Sequence, residues 1–120
     1  MRRPEKVAEQ LREEISQIVG FELTDPRVLG VTVTEVRIAQ DLRDASVYVT
    51  VEGDEAEHAA ALAALKHAAP YVRRQVGLAL SLRHAPVLHF IRDVVEEDAA
   101  RVEKLLADLA LTSAPSTEIE

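Results

Sequence analysis

The order of apolar patterns along this 120-residue chain predicts an α+β fold: a three-stranded mixed sheet with helices packed on one face, plus a C-terminal helix. Three observations carry that expectation. Two β-branched runs flank a short polar loop, as in a hairpin. A third such run follows about 35 residues later. The interval reads as helix and is long enough for a right-handed crossover to a parallel strand.

The first element is a helix opened by Pro4, with Val7, Leu11, Ile15 and Ile18 spaced four, four and three apart along one face. Gly20 is its expected stop. Thr24-Asp25-Pro26-Arg27 reads as a turn, because proline fixes one dihedral and the Asp side chain can bond nearby amides. The first strand, Val31 to Ile38, changes the phase of its apolar residues at Glu35, which predicts a bulge or a two-sided strand. After the loop Gln40–Asp44, the second strand sets Ala45, Val47, Val49 and Val51 on one face. Asp54 is placed to cap a helix running from Glu55 to about Ala69. Pro70 interrupts a pattern that otherwise stays helical to about Leu80. It removes a donor and clashes with the carbonyl of Lys66, so two helices at an angle are expected, the second opened by Pro70. Pro86 precedes the third strand, Val87 to Arg92. The last helix gathers Ala99, Val102, Leu105, Leu106 and Leu109 on one side, with Glu96, Glu97 and Asp98 at the end its dipole favours. The expected division is a domain over 1–93, an amphipathic helix over 94–111, and a polar, disordered tail over 112–120.

Composition narrows the function classes. With no cysteine there is no disulfide, thiolate metal site or cysteine nucleophile. No apolar stretch approaches the length that crosses a bilayer, and the basic N-terminus lacks a signal core, so a cytoplasmic protein without a membrane partner is expected. The net charge of −7 is unevenly spread: residues 1–93 carry 12 Lys+Arg against 14 Asp+Glu, while residues 94–120 carry 2 against 7. The body therefore has room for a basic face. Aromatics make up only 3%, so contacts to nucleic-acid backbone and shape are favoured over base stacking.

Catalytic signatures are absent. There is no phosphate-binding glycine loop. The histidines, His58, His67, His84 and His89, have no metal-ligand spacing and read as surface residues. Asp41 and Asp44 read as turn and strand-end residues rather than a catalytic pair. Neither enzyme activity nor a cofactor or metal is expected. The basic residues are more informative. Arg2, Arg3 and Lys6 form an N-terminal arm; Lys66, Arg73 and Arg74 flank Pro70; Arg83 and His84 follow. These are the candidate RNA contacts, through phosphate and, at the expected helix junction, through free amides.

Asp25-Pro26-Arg27 with Val31–Val36, then Asp41-Leu42-Arg43-Asp44-Ala45-Ser46-Val47-Tyr48-Val49, resemble the bacterial ribosome-binding factor A family. So do Val72-Arg73-Arg74 and Leu82-Arg83-His84-Ala85-Pro86-Val87-Leu88-His89-Phe90, and order and spacing match from about Arg2 to Leu109. The resemblance implies a KH-like domain of the second topological type, α-β-β-α-kink-α-β. It also implies an assembly factor that binds 16S rRNA on the small (30S) ribosomal subunit near the decoding-region helices, promotes late maturation and supports growth in the cold. Other assembly factors are implied as possible partners, with the chain a monomer away from the ribosome. Family members carry an Ala-x-Gly kink between the central helices; here the matching residues are Ala68-Ala69-Pro70, with proline in place of the glycine. The contrasting reading is an RNA-independent protein-interaction module acting through the acidic C-terminal helix. A small hydrolase is the third class, and no constellation in the sequence supports it.

Overall fold

The apolar stripe of the first helix is what seats it. In the computed structural model, which describes residues 4–119 and the side-chain surroundings of residues 6–110, α1 (Pro4–Gln17) buries Leu11 and Ile15 completely. The chain does not stop at Gly20. It widens into a π-helical turn over Ile18–Glu22, closed by Leu23 N–H donating to Ile18 O at 3.1 Å. The wider turn adds a residue per revolution, so the adjacent Ile18 and Val19 both enter the core. A 3-10 turn over Pro26–Val28 follows, and the Asp25 carboxylate accepts from the Arg27 amide at 2.9 Å, the local bond expected of that turn.

The sheet has the order β1-β2-β3, with β1 (Val31–Ile38) antiparallel to β2 (Asp44–Val51) and β2 parallel to β3 (Val87–Arg92). The β1–β2 register shifts between Val33 and Glu35, where the phase of the sequence changes. Val33 and Val36 can therefore both face inward. Val33, Val36, Ala45, Val47, Val49, Leu88 and Phe90 form the buried sheet face beneath α1 and α2 (Glu55–Ala79). On the other face Thr32, Arg37, Ser46, Tyr48, His89 and Ile91 are half-buried or exposed.

Asp54 caps α2 with a reciprocal pair of bonds, its carboxylate accepting from Glu57 N–H at 2.9 Å and Glu57 Oε1 accepting from Asp54 N–H at 3.1 Å. Gly53 has φ +119°, and a side chain there would run into the Glu57 carboxylate.

The expected division into two helices at Pro70 is replaced by one helix of 25 residues with Pro70 inside it. Ala61, Leu65, Val72 and Val76 are buried on both sides of the proline, so tertiary packing holds the helix together across the lost bond. What remains of the break is local: the carbonyl of Lys66 lacks its usual donor. His58, expected at the surface, is buried instead, and its Nδ1 has no hydrogen-bond partner.

α3 spans Val94–Ile119, past the helix expected to end near 111 and through residues 112–119 expected as a disordered tail. An apolar stripe marks where a helix has a face, not where its backbone bonds stop. The stripe itself does not enter the core: Val102, Leu105, Leu106 and Leu109 are all exposed. The projecting helix gives a radius of gyration of 17.9 Å, against about 14 Å for a compact chain of this length.

Leu65→Ala should cost about 2–5 kcal/mol in urea unfolding, because the side chain is fully buried beneath the sheet. Hydrogen bonds from Arg27 hold the Asp25 carboxyl down to about 2. The folded value lies below the unfolded one, so the stability it confers is complete above the ordinary carboxyl range and lost as pH falls through about 2. An NMR titration of Arg27→Met should show Asp25 returning toward its ordinary value; an unchanged midpoint would contradict this assignment.

Candidate nucleic-acid interface

Parallel pairing brings the starts of β2 and β3 to the same end of the sheet, with Asp44 opposite Val87. The loops that enter these strands consequently lie side by side, and Val87 N–H donates to Arg43 O at 2.8 Å. In the first loop Leu42 takes a left-handed backbone at φ 61°, and the Asp41 carboxylate accepts from the Arg43 amide at 3.0 Å. The second loop begins where α2 ends. Leu80 and Leu82 N–H donate to Val76 O and Gly77 O, both at 2.9 Å, and Ser81 turns the chain at φ 54°. Arg73 Nε then donates to Ala85 O at 3.0 Å, tying α2 to that loop.

Two adjoining clefts result. One, of about 440 Å³, is lined by Pro70, Arg73, Arg74, Leu82, Arg83 and His84 among others. The second, of about 740 Å³, is lined by Asp41, Leu42, Arg43, Arg73, His84, Ala85 and Val87. Arg73, His84 and Ala85 belong to both, so the clefts form one continuous concave surface.

The structure thus brings together Arg73, Arg74, Arg83, His84 and Pro70 from the expected site. Lys66 is exposed one turn before Pro70 on the same helical face, but does not line either cleft. Lys6 is exposed on α1, likewise outside the lining. Arg2 and Arg3 lie outside the described residues. Ala68 and Ala69 are half-buried and pack against the core, leaving Pro70 as the member of that triplet that faces the cleft. Arg43 was not anticipated; the available signal was a basic residue in the loop entering a strand with a parallel neighbour. The free amides expected at Pro70 are not supplied, because residue 70 lies within a continuous helix and the nearby terminus is the carbonyl end of α2. Any anion here meets side chains.

The arginines divide sharply by partner. Arg12, Arg27, Arg37, Arg92 and Arg101 each pair with a carboxylate of Glu9, Asp25, Glu35, Glu55 with Glu97, or Asp98. Among the described residues, Arg43, Arg73, Arg74 and Arg83 have no such pair. The unpaired arginines are the ones at the cleft. Asp44, at its edge, turns to His89 Nε2 at 2.8 Å. No group of three or more His, Cys, Asp or Glu able to hold a metal occurs among the described residues. Nor is any described helix long and apolar enough to cross a membrane.

The architecture is a KH-like α+β fold with a cation-lined cleft at one end of its sheet. Residues 3–106 match the family model for ribosome-binding factor A, and the chain belongs to that family. It is 49% identical over 105 residues to ribosome-binding factor A of Solibacter usitatus, covering 88% of this chain and 85% of that one. Against the protein of the same name from Acetivibrio thermocellus it is 40% identical over 121 residues, covering 100% and 98%. The crystal structure of ribosome-binding factor A from Thermus thermophilus superposes with a TM-score of 0.69 at 28% identity, over 75% of this chain and 94% of that one. A homology model of the Thermus thermophilus factor, fitted into a cryo-EM map of a 30S complex with it, gives a TM-score of 0.63 at 28% identity, over 73% and 92%.

Proposed function

We propose that the chain binds the small (30S) ribosomal subunit by holding 16S rRNA phosphates in the arginine cleft, and that it promotes late maturation of that subunit. The carrying observation is the division of the arginines. Five are neutralised locally, while Arg43, Arg73, Arg74 and Arg83 converge on a concave surface with no carboxylate pair among the described residues. A guanidinium offers a planar fork of donors that matches phosphate oxygens. Arg73 donates Nε to Ala85 O, which fixes the stem of an exposed side chain that lines both clefts.

Family membership and the 30S complex of the Thermus thermophilus relative support the same reading. In this assignment His84 lines the floor, Lys66 extends the cationic face along α2, and Arg2, Arg3 and Lys6 add an N-terminal arm. Pro70 contributes shape and no donor. The chain acts as a cytoplasmic monomer without catalysis, alongside other assembly factors on the subunit and with its greatest effect in the cold.

Purified protein should co-sediment with immature small subunits at low salt and dissociate as salt rises. Reversing Arg73, Arg74 and Arg83 to Glu should abolish co-sedimentation, and each single Arg→Ala change should lower the salt slope by about 1. Reversing Arg101 and Lys104, which are remote from the cleft, should leave binding intact. Equal loss in both reversal variants would show a nonspecific charge effect and overturn the assignment, as would absence of binding by the unaltered chain.

A further inference from the structure

A second surface is built into α3. Val95, Val102, Leu105, Leu106 and Leu109 are between 54% and 81% exposed, a contiguous apolar strip of the kind a soluble monomer rarely leaves open. Its spacing is regular. Val95, Ala99, Val102, Leu106 and Leu109 alternate steps of four and three, the spacing of a helix–helix seam. Of the residues flanking that seam, Glu96, Asp98 and Glu103 carry charge, and all three are acidic. Lys104 and Arg101 lie off the seam, but Arg101 reaches back to Asp98 at 3.8 Å, so Glu96 and Glu103 are the flanking carboxylates without an ion pair among the described residues.

The base of the helix is held firmly. The Asp93 carboxylate accepts from Glu96 N–H at 2.9 Å and from Thr34 Oγ1 at 2.5 Å. Arg92 bridges α2 and α3, donating to both Glu55 oxygens at 2.7 and 2.9 Å and to the Glu97 carboxylate at 2.8 Å. A strip projected from a fixed base is organised in advance of binding, which lowers the entropic cost of docking.

We infer that α3 is a docking arm for a basic amphipathic helix of a protein partner. The partner's apolar residues lie along the Val95–Leu109 seam and its Lys or Arg residues flank Glu96 and Glu103, with Asp98 shared with Arg101. Charge selects this occupant. RNA would meet carboxylates. A second copy would set acidic flanks against acidic flanks, and the seam spans only two heptad intervals, short of the three or four that sustain a free-standing coiled coil. This inference is independent of rRNA binding.

The test is methyl NMR of the full chain, titrated with a synthetic three-heptad peptide carrying Leu along its seam and Lys at the flanks. A peptide with Glu at the flanks is the comparison. The Lys peptide should shift the methyls of Val95 to Leu109 and bind about tenfold or more tighter than the Glu peptide. Leu106→Ser, an exposed change, should remove the shifts and leave the domain spectrum intact. Glu96→Lys, Asp98→Lys and Glu103→Lys together should reverse the peptide preference. Absence of shifts on α3, or equal binding of the two peptides, would overturn the inference. So would peptide-free, concentration-dependent broadening of α3 signals that Leu106→Ser abolishes, because the occupant would then be a second copy.

Discussion

The parallel pairing of β2 with β3 is the constraint from which the two ends of the molecule follow. Parallel neighbours start together and finish together, so the connection between them must travel back along the sheet. α2 makes that return, and the apolar residues along its length cover the sheet with α1. At the starting end, the hairpin loop and the loop leaving α2 have no choice but to be adjacent, and Arg43 joins Arg73 and His84 in one cleft there while Arg83 lines the adjoining one. At the finishing end, β3 emerges beside the first turn of α2, which lets Arg92 reach Glu55 and Glu97 together. One backbone pairing therefore fixes a cationic cleft at one end and the base of α3 at the other.

Charge pairing then separates what is structural from what is available. An exposed pair such as Arg12 with Glu9 adds little stability, but it cancels a cation that would otherwise attract anions all over the surface. Arg92 is more constrained, since its guanidinium serves two carboxylates from different helices and its pKa is pushed up by hydrogen bonds first to Glu55 and then to Glu97. Asp93 beside it is held below the usual carboxylate range by its bonds from Thr34 and the Glu96 amide, so it stays ionised as the cap of α3. Against this background of neutralised arginines, those lining the cleft keep their charge without an ion pair among the described residues, with Asp41 the one carboxylate in the lining.

Much of the fold was legible because local chemistry decided it. The phase change at Glu35 marked the register shift, Asp54 marked the start of α2, and Asp25 marked the 3-10 turn. The misreadings share a different cause. Gly20 and Pro70 are breakers by intrinsic preference, yet Ile18 and Val19 beside one, and Leu65 and Val72 around the other, gain enough from burial to carry helix through both. Tertiary packing outweighed propensity there. The chemistry of His58 favours the surface, and its position on α2 buries it. Within the cleft, the sequence places Arg73 and Arg74 together on α2, whereas the proximity of Arg43 to Arg73 arises only from strand pairing.

The stripe of α3 illustrates the limit of periodicity in another way. Its spacing correctly signalled an apolar helical face, but spacing carries no information about what covers that face. The acidic flanks do. They also alter how the molecule behaves at a distance, because the acidic residues from Glu96 to Asp108 follow the end of β3, the end of the sheet opposite the arginine cleft. In the field of a polyanion such a chain is drawn at one end and repelled at the other, so it turns cleft-first before any contact forms. The net charge of −7, which alone argues against a nucleic-acid partner, is thus compatible with one. Its sum sets solubility, and its arrangement sets orientation. Under the proposed rRNA binding, that same charge sets α3 apart from phosphate and leaves its apolar strip to a protein.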